Sequence, residues 1–391
     1  MNGIQELVAL SRHYGQGEDW VIAGGGNTSV KDQSTMWVKA SGTTLKTIVA
    51  EQFVAMDREA LNRIWEEQYP DDTELREQRA LEDLMAARID QSGSLRPSVE
   101  TLMHALFPQR WVVHTHPTIV NGLSCSRGGE QAVARLFEDR ALWIPTIEPG
   151  YTLAVDMRRR VQAWRDQHNG EWPQIVIMQN HGLVVAADTV EEIHRLNQDT
   201  VKRISSAIER HPQTEPEETD TDHLRSLSEM VSRAMADMQA AHGSALERPV
   251  VSAFASPELL RRAATLEAMA PVFDAFTPDH IVYAGHKPCF VNLSPEVSSP
   301  LSMQAEVLHA VHDYCDSQGV GPKIVVLRDR GAVAVTATER KTVIAHRLFV
   351  NALKIAAYAE SFDGSQFMPH HQVEFVRGWE VEAFRERQST S

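Results

Sequence analysis

Cysteine is scarce in this chain, and basic residues fall short of acidic ones. Only Cys125, Cys289 and Cys315 occur among 391 residues. They are too scattered for a disulfide framework and form no C-x-x-C pair, which predicts reduced thiols in an intracellular protein. A formal charge of −15 leaves no basic excess to neutralise phosphates, so neither nucleic acid nor an anionic membrane is expected as a partner. An anionic small molecule is still admissible where a few donors are concentrated. No apolar run approaches the length needed to cross a bilayer, and the opening MNGIQELVALSRHYGQGEDW lacks a signal-type apolar block. These absences predict a soluble, cytoplasmic protein. The chain does have length and ordinary apolar content, enough for two domains or one large one with a substantial core.

Apolar residues at Ile4, Leu7, Val8 and Tyr14 have helical spacing and lead into Gly24-Gly25-Gly26, a helix feeding a tight turn. Met36-Trp37-Val38 reads as a strand, followed by a turn at Ser41-Gly42-Thr43 and a polar stretch of helix and loop from Asp57 to Ser94. Further strands are predicted at Trp111 to His114 and Ile175 to Met178. Helices are predicted over Pro97 to Phe107, Glu130 to Arg135 and Asp188 to Glu209. The alternation implies an α/β core built on one main sheet.

The segment HPQTEPEETDTD, from His211 to Asp222, is acidic, Pro-punctuated and without apolar periodicity, which makes it the best linker. It separates a domain over 1–210 from a C-terminal half over 224–391, with 211–223 as the linker. The two halves share a pattern. PQIVIMQNHGLVVAADTVEEIHRLNQ, from Pro173, aligns without a gap on PKIVVLRDRGAVAVTATERKTVIAHR, from Pro322, as strand, turn, strand and helix. Trp37 to Gly42 has a candidate counterpart in Ile281 to Gly285. The chemistry does not repeat: Arg330 stands where His181 does, and Asp329 where Asn180 does. The bland alternative is that any two strand-turn-helix units resemble each other.

His114-Thr115-His116 ends the run Trp111-Val112-Val113, and the two-residue period of a strand puts both imidazoles on one face, able to share an ion. Pro117 ends the strand, which places the pair where loops and ligands meet. His181 also follows an apolar strand and precedes Gly182, which lets the backbone turn closely. Three neutral imidazoles suit catalytic zinc, whereas an ordinary turn histidine would only cap backbone groups. Most of the 17 histidines must be structural, and His104, His168, His194, His211 and His346 are not singled out. Glu100 lies where Ser98 can cap a helix, so its carboxylate either complements the helix dipole or serves as a base beside a metal-bound substrate. Gly24-Gly25-Gly26-Asn27-Thr28-Ser29 has the composition of an anion-binding concavity, which Ser41-Gly42-Thr43 could complete. It matches neither the P-loop nor the dinucleotide spacing, and each segment alone is equally an ordinary turn.

GGGNTS, SGT, PSVET, HTHP and QNHG, in this order, resemble the class II aldolase/adducin family, which includes fuculose- and rhamnulose-1-phosphate aldolases. The motifs cover Gly24 to about Ala187, and the general pattern extends to about Glu209. At full length the chain is similar to the aldolase portion of bifunctional rhamnulose-phosphate aldolase/dehydrogenase proteins, and it stops before any dehydrogenase domain, so no nicotinamide cofactor is expected. The resemblance implies a three-layer α/β/α catalytic domain, followed by a degenerate, related α/β half that serves as scaffold or interface. It also implies Zn2+ or another divalent metal on His114, His116 and His181, with Glu100 alternating between ligand and base. Asn27, Ser41, Gly42 and Ser98 match positions that hold substrate phosphate, while Val99 departs from the second hydroxyl residue often found before the Glu. Tyr151 falls near a family tyrosine that reaches a neighbouring subunit's site and can act as proton donor, and a homo-oligomer such as a tetramer is expected. The implied reaction makes or breaks a C–C bond in a ketose, with or without a 1-phosphate, through a metal-stabilised enediolate. Epimerase or decarboxylase chemistry, or a non-catalytic adducin-like interaction module, are the alternatives.

Overall fold

Strands form where the chain offers short apolar, β-branched runs, and they gather into two sheets. The computed structural model describes residues 3–216, 221–241, 249–294 and 299–379. Part of the expected linker, 217–220, lies outside the described residues, as do 242–248, 295–298 and 380–391 of the expected C-terminal half. Contacts divide the chain into two units, Met1–Ile208 with Pro369–Ser391, and Glu209–Met368. The described residues from Pro369 to Trp379 thus group with the first unit, although their sequence position lies in the C-terminal half. No helix among the described residues is long and apolar enough to cross a membrane.

In the first unit seven strands, β1 (Asn27–Lys31), β2 (Thr35–Lys39), β3 (Phe53–Asp57), β4 (Trp111–Thr115), β5 (Leu142–Ile144), β6 (Ile175–Met178) and β7 (Gly182–Ala187), lie in the order β3-β2-β1-β4-β7-β6-β5. Neighbours are antiparallel except β5 and β6. Every residue of β4, β6 and β7 is buried, as expected of central strands covered on both faces. Helices Thr101–Leu106 and Tyr151–Gln167 cover one face, where Met103, Phe107 and Met157 pack on Val112, Val176 and Val184. Helices Gly3–Gly15, Thr118–Ser124 and Val190–Ser205 cover the other. The result is a three-layer α/β/α arrangement.

Two local expectations change. Asn27 to Ser29 belong to β1 and not to the preceding glycine turn. The helix expected from Pro97 starts only at Thr101, because Ser98 N–H donates to the Lys39 carbonyl (3.2 Å) and Ala40 bridges Pro97, which holds 96–98 extended. Ser98 therefore does not cap that helix; Glu100 occupies its N-cap position.

The second unit holds β8 (Val250–Phe254), β9 (Cys289–Val291), β10 (Ile324–Leu327) and β11 (Gly331–Thr336) in the order β8-β11-β10-β9. Its plan repeats β4-β7-β6-β5 residue for residue. Cys289 pairs with Val325 as Leu142 pairs with Val176, and Val250 pairs with Thr336 as Trp111 pairs with Ala187. Even the turn residues agree: Asn180 and Asp329 both have φ 55°. Thr189 and Thr338 each cap the following helix. Such agreement in register goes beyond what unrelated strand-turn-helix units would share. The proposed match between Trp37–Gly42 and Ile281–Gly285 fails, because His280–Ala284 is a buried turn of π-helix packed on helix Glu339–Ala359. A short run that is apolar throughout does not distinguish strand from helix.

Within this unit the buried Glu258 receives Arg210 (2.7 Å), Arg261 (2.7 Å) and Arg262 (3.0 Å). Burial acts to raise its carboxyl, but the three guanidinium groups outweigh it and bring the pKa from 4.5 to about 2. A depressed carboxylate contributes stability that is full above the unfolded pKa and is lost as pH falls through the folded one. We expect roughly 3 kcal/mol of acid-side stability from Glu258, lost between about pH 4.5 and 2. In calorimetric scans over that range, Glu258→Gln should have a lower unfolding temperature at neutral pH and a flatter acid-side slope than wild type; equal slopes would contradict the assignment.

Candidate metal centre

His114 and His116 project from the end of β4 and just beyond it, two residues apart and hence on one face. His181 comes from the turn joining β6 to β7. That turn depends on Asn180 in the left-handed region and on Gly182. A Cβ at Gly182 would sit 2.4 Å from the Thr115 carbonyl and 2.8 Å from the His116 ring, so only glycine lets the turn lie against the end of β4. Gly26, with φ 68°, makes the same kind of approach from the other side, 2.8 Å from the His114 carbonyl. The outcome is convergence: one ligand nitrogen from each of the three histidines lies within 4.8 Å of the others.

The protonation states suit a shared cation. His114 Nδ1 lies 3.0 Å from the Leu183 carbonyl, so it carries the proton and leaves the Nε2 lone pair facing the cluster. Burial pushes this imidazole down to about 3, against the pull of Glu100, so it is neutral at neutral pH. His116 Nε2 lies 2.9 Å from His114 Nε2, two nitrogens turned toward a common point. Glu100 Oε1 stands 3.0 Å from His181 Nε2 and 3.5 Å from His114 Nε2. Burial would raise the Glu100 carboxyl, but the His114 imidazole, the His181 hydrogen bond and the His116 imidazole outweigh it and hold it well below the usual range. The donor set of three imidazoles with a carboxylate beside them fits a divalent metal ion.

The other residues singled out by sequence fall into two groups. Asn27 Nδ2 donates to Glu100 Oε2 (2.5 Å) and to Ser98 Oγ (3.2 Å). Ser41 N–H donates to the Arg96 carbonyl (2.8 Å), which sets the Ser41-Gly42 turn beside 96–98. Asn27, Ser98, Ser41 and Gly42 are therefore contiguous, and the buried Lys39 ammonium ties Gly24 to Thr43 through their carbonyls. Tyr151 stands apart: its ring meets Tyr69, with centroids 4.6 Å apart, and among the described residues it makes no hydrogen bond or ring contact with the three imidazoles. Two buried residues escape sequence reasoning. His104, fully buried, bonds to Asn27 and Ser29; its only sequence signal is a position four after Glu100. Glu77 accepts from Tyr151 N–H (2.8 Å) and Thr152 N–H (3.1 Å), and so caps the helix that Tyr151 begins.

The second unit preserves this frame without its histidines. Thr115 pairs with Leu183 as Phe254 pairs with Ala332, so Ala253, Ala255 and Arg330 occupy the places of His114, His116 and His181.

Residues 5–203, just over half of the chain, match the family model described as the class II aldolase and adducin N-terminal domain. A curated relative from Bacillus subtilis (strain 168), described as the uncharacterized oxidoreductase YuxG, is 23% identical over 422 residues, covering 98% of this chain. The chain spans 58% of the length of that relative. Among solved structures, the N-terminal class II aldolase domain of a conserved protein from Thermoplasma acidophilum is 26% identical with a TM-score of 0.44, covering 52% of this chain and 92% of that one. The L-fuculose-1-phosphate aldolase of Thermus thermophilus is 14% identical with a TM-score of 0.34, covering 52% of this chain and 92% of that one.

Gly182→Ala tests the close approach. The added methyl must push the turn off β4, and we expect a cost of about 1–3 kcal/mol, together with a loss of metal bound per chain measured by plasma mass spectrometry. Wild-type melting temperature and metal content in this variant would show that the approach is not needed.

Proposed function

We propose that this chain, which belongs to the class II aldolase and adducin family, is a zinc-dependent aldolase acting on a ketose 1-phosphate or a close analogue. Family membership supports lyase chemistry and a divalent metal; the choice of zinc, the substrate and a homo-oligomeric assembly such as a tetramer are part of the proposal. The observation that carries it is the convergence of His114, His116 and His181 on one point beside the ionised Glu100. The likeness to the aldolase portion of bifunctional rhamnulose-phosphate aldolase/dehydrogenases also belongs here, and it is supported by the description of the longer relative as an oxidoreductase.

His114, His116 and His181 would hold a divalent cation, whose positive charge would stabilise the electron pair left at carbon when the C–C bond breaks. Glu100, ionised and gripped through Oε2 by Asn27, is the group that takes the proton from that carbon or returns it. Ser98 Oγ accepts from both Asn27 Nδ2 (3.2 Å) and Glu100 N–H (3.3 Å), which leaves its own hydroxyl proton for a phosphate oxygen. Ser41 and Gly42 sit beside it, and Asn27 would join them only by releasing Ser98 or Glu100. Tyr151, away from the imidazoles of its own chain, would serve a neighbouring subunit and handle the proton of the substrate hydroxyl. Epimerase or decarboxylase chemistry of the same family would use the same charge and base. A non-catalytic adducin-like role is disfavoured because the first unit keeps the full donor set that the second unit has lost.

The test is exchange of a carbon-bound proton of dihydroxyacetone phosphate in deuterated water. Zinc-loaded wild type should exchange it, and chelation should abolish exchange. Glu100→Gln should keep its metal and lose about 100-fold or more, while His181→Ala should lose the metal itself. Stoichiometric zinc without exchange in wild type would defeat the phosphate version of the proposal, and full activity in Glu100→Gln would remove the assigned base.

A further inference from the structure

Behind Glu100 lies a buried hydrogen-bond chain that the proposed reaction does not use directly. Asn27 and Ser29 are two apart on β1 and share a face. Glu100 and His104 are four apart at the start of helix Thr101–Leu106 and share a side. The two pairs interlock. His104 Nδ1 lies 2.8 Å from Ser29 Oγ, His104 Nε2 meets Asn27 Oδ1, and Asn27 Nδ2 lies 2.5 Å from Glu100 Oε2. His104 and Ser29 are fully buried and Asn27 is 4% exposed, so water cannot substitute for a missing partner.

Donors and acceptors can be assigned along this chain from either end. Asn27 presents its amino end to Glu100, with Nδ2 donating to a carboxylate oxygen, Oε2. Its carbonyl then faces His104, which must present Nε2–H; Nδ1 is left to accept from the Ser29 hydroxyl. Reversing the Asn27 amide would set its carbonyl against the carboxylate and its amino group against an N–H. Neutral His104 with the proton on Nε2 therefore locks Asn27 in one orientation, and Asn27 divides the work of the Glu100 oxygens. Oε2 is held by the amide while Oε1 is turned to His181 and His114.

We propose that His104 is a positioning residue that, acting through Asn27, aims Glu100 Oε1 at the metal centre. The inference rests on the aldolase reading for its catalytic consequence, but its geometry can be tested without activity. In the full-length wild-type protein labelled with 15N-histidine, long-range 1H–15N correlation should identify His104 as the Nε2–H tautomer; an Nδ1–H tautomer would overturn the proposal. Two variants separate positioning from packing. His104→Gln offers one donor end and one acceptor end, like a neutral imidazole, and His104→Leu offers neither. In Co2+-loaded protein, His104→Leu should shift the visible absorption bands through altered placement of Glu100, whereas His104→Gln should reproduce the wild-type spectrum. Identical spectra for His104→Leu and wild type would overturn the proposal.

In the exchange assay, His104→Leu should keep stoichiometric metal and a KM for dihydroxyacetone phosphate within about threefold of wild type, with kcat lowered about 10–100-fold. His104→Gln should recover most of that loss. Equal losses in both variants with metal retained would mean that His104 only fills space. If wild type shows no exchange, the aldolase reading fails while the tautomer and the cobalt spectra still decide the role of His104. If His104→Leu does not fold, the tautomer and the match of His104→Gln to wild type decide it.

Discussion

The close approach of the β6–β7 turn to the end of β4 is the constraint on which the proposed chemistry depends. A strand can bring two imidazoles to one face by its own periodicity, but a third must arrive from elsewhere in the chain. It arrives because Asn180 adopts a left-handed conformation and because Gly182 has no Cβ to meet the Thr115 carbonyl. Central placement of β4 and β7, with every residue buried, keeps that geometry stiff. The three histidines thus rest on packed strands, and their arrangement inherits its precision from the core.

A buried carboxylate beside three imidazoles would be costly if left alone. Glu100 is accommodated because each of its oxygens has a partner, Asn27 on Oε2 and the histidines on Oε1. Those partners have partners of their own: Asn27 has His104 and Ser98, His104 has Ser29, and His114 has the Leu183 carbonyl. Support of this kind fixes tautomers and orientations around a metal position. It also draws on β1, the helix at Thr101 and the extended segment 96–98, so the sequence motifs that look independent form one connected structure.

The second unit shows which part of this is fold and which is chemistry. Its four strands repeat the pairing of β4 to β7, and its turn at Asp329 repeats the backbone of Asn180. Apolar cores on both sides of the register are sufficient to keep that frame. Alanines at 253 and 255 and an arginine at 330 are compatible with it, because strand pairing runs through backbone groups and not through the side chains at those places.

Much of this was legible in the sequence for definite physical reasons. The helix at Gly3–Gly15 and the strands around His114, Met36 and Ile175 follow from apolar spacing alone, and the gapless alignment of Pro173 with Pro322 anticipated the repeated unit. The period of a strand placed His114 and His116 together, and motif order joined His181 and Glu100 to them as an expectation. Other features depend on contacts between residues far apart in the chain. Ser98 is pulled out of a helix by the Lys39 carbonyl, His280–Ala284 is helical because it packs on Glu339–Ala359, and His104 matters only because Asn27, 77 positions away, turns its carbonyl toward it. Local periodicity encodes which face a side chain takes. The partner it meets on that face is decided only when the chain has closed on itself.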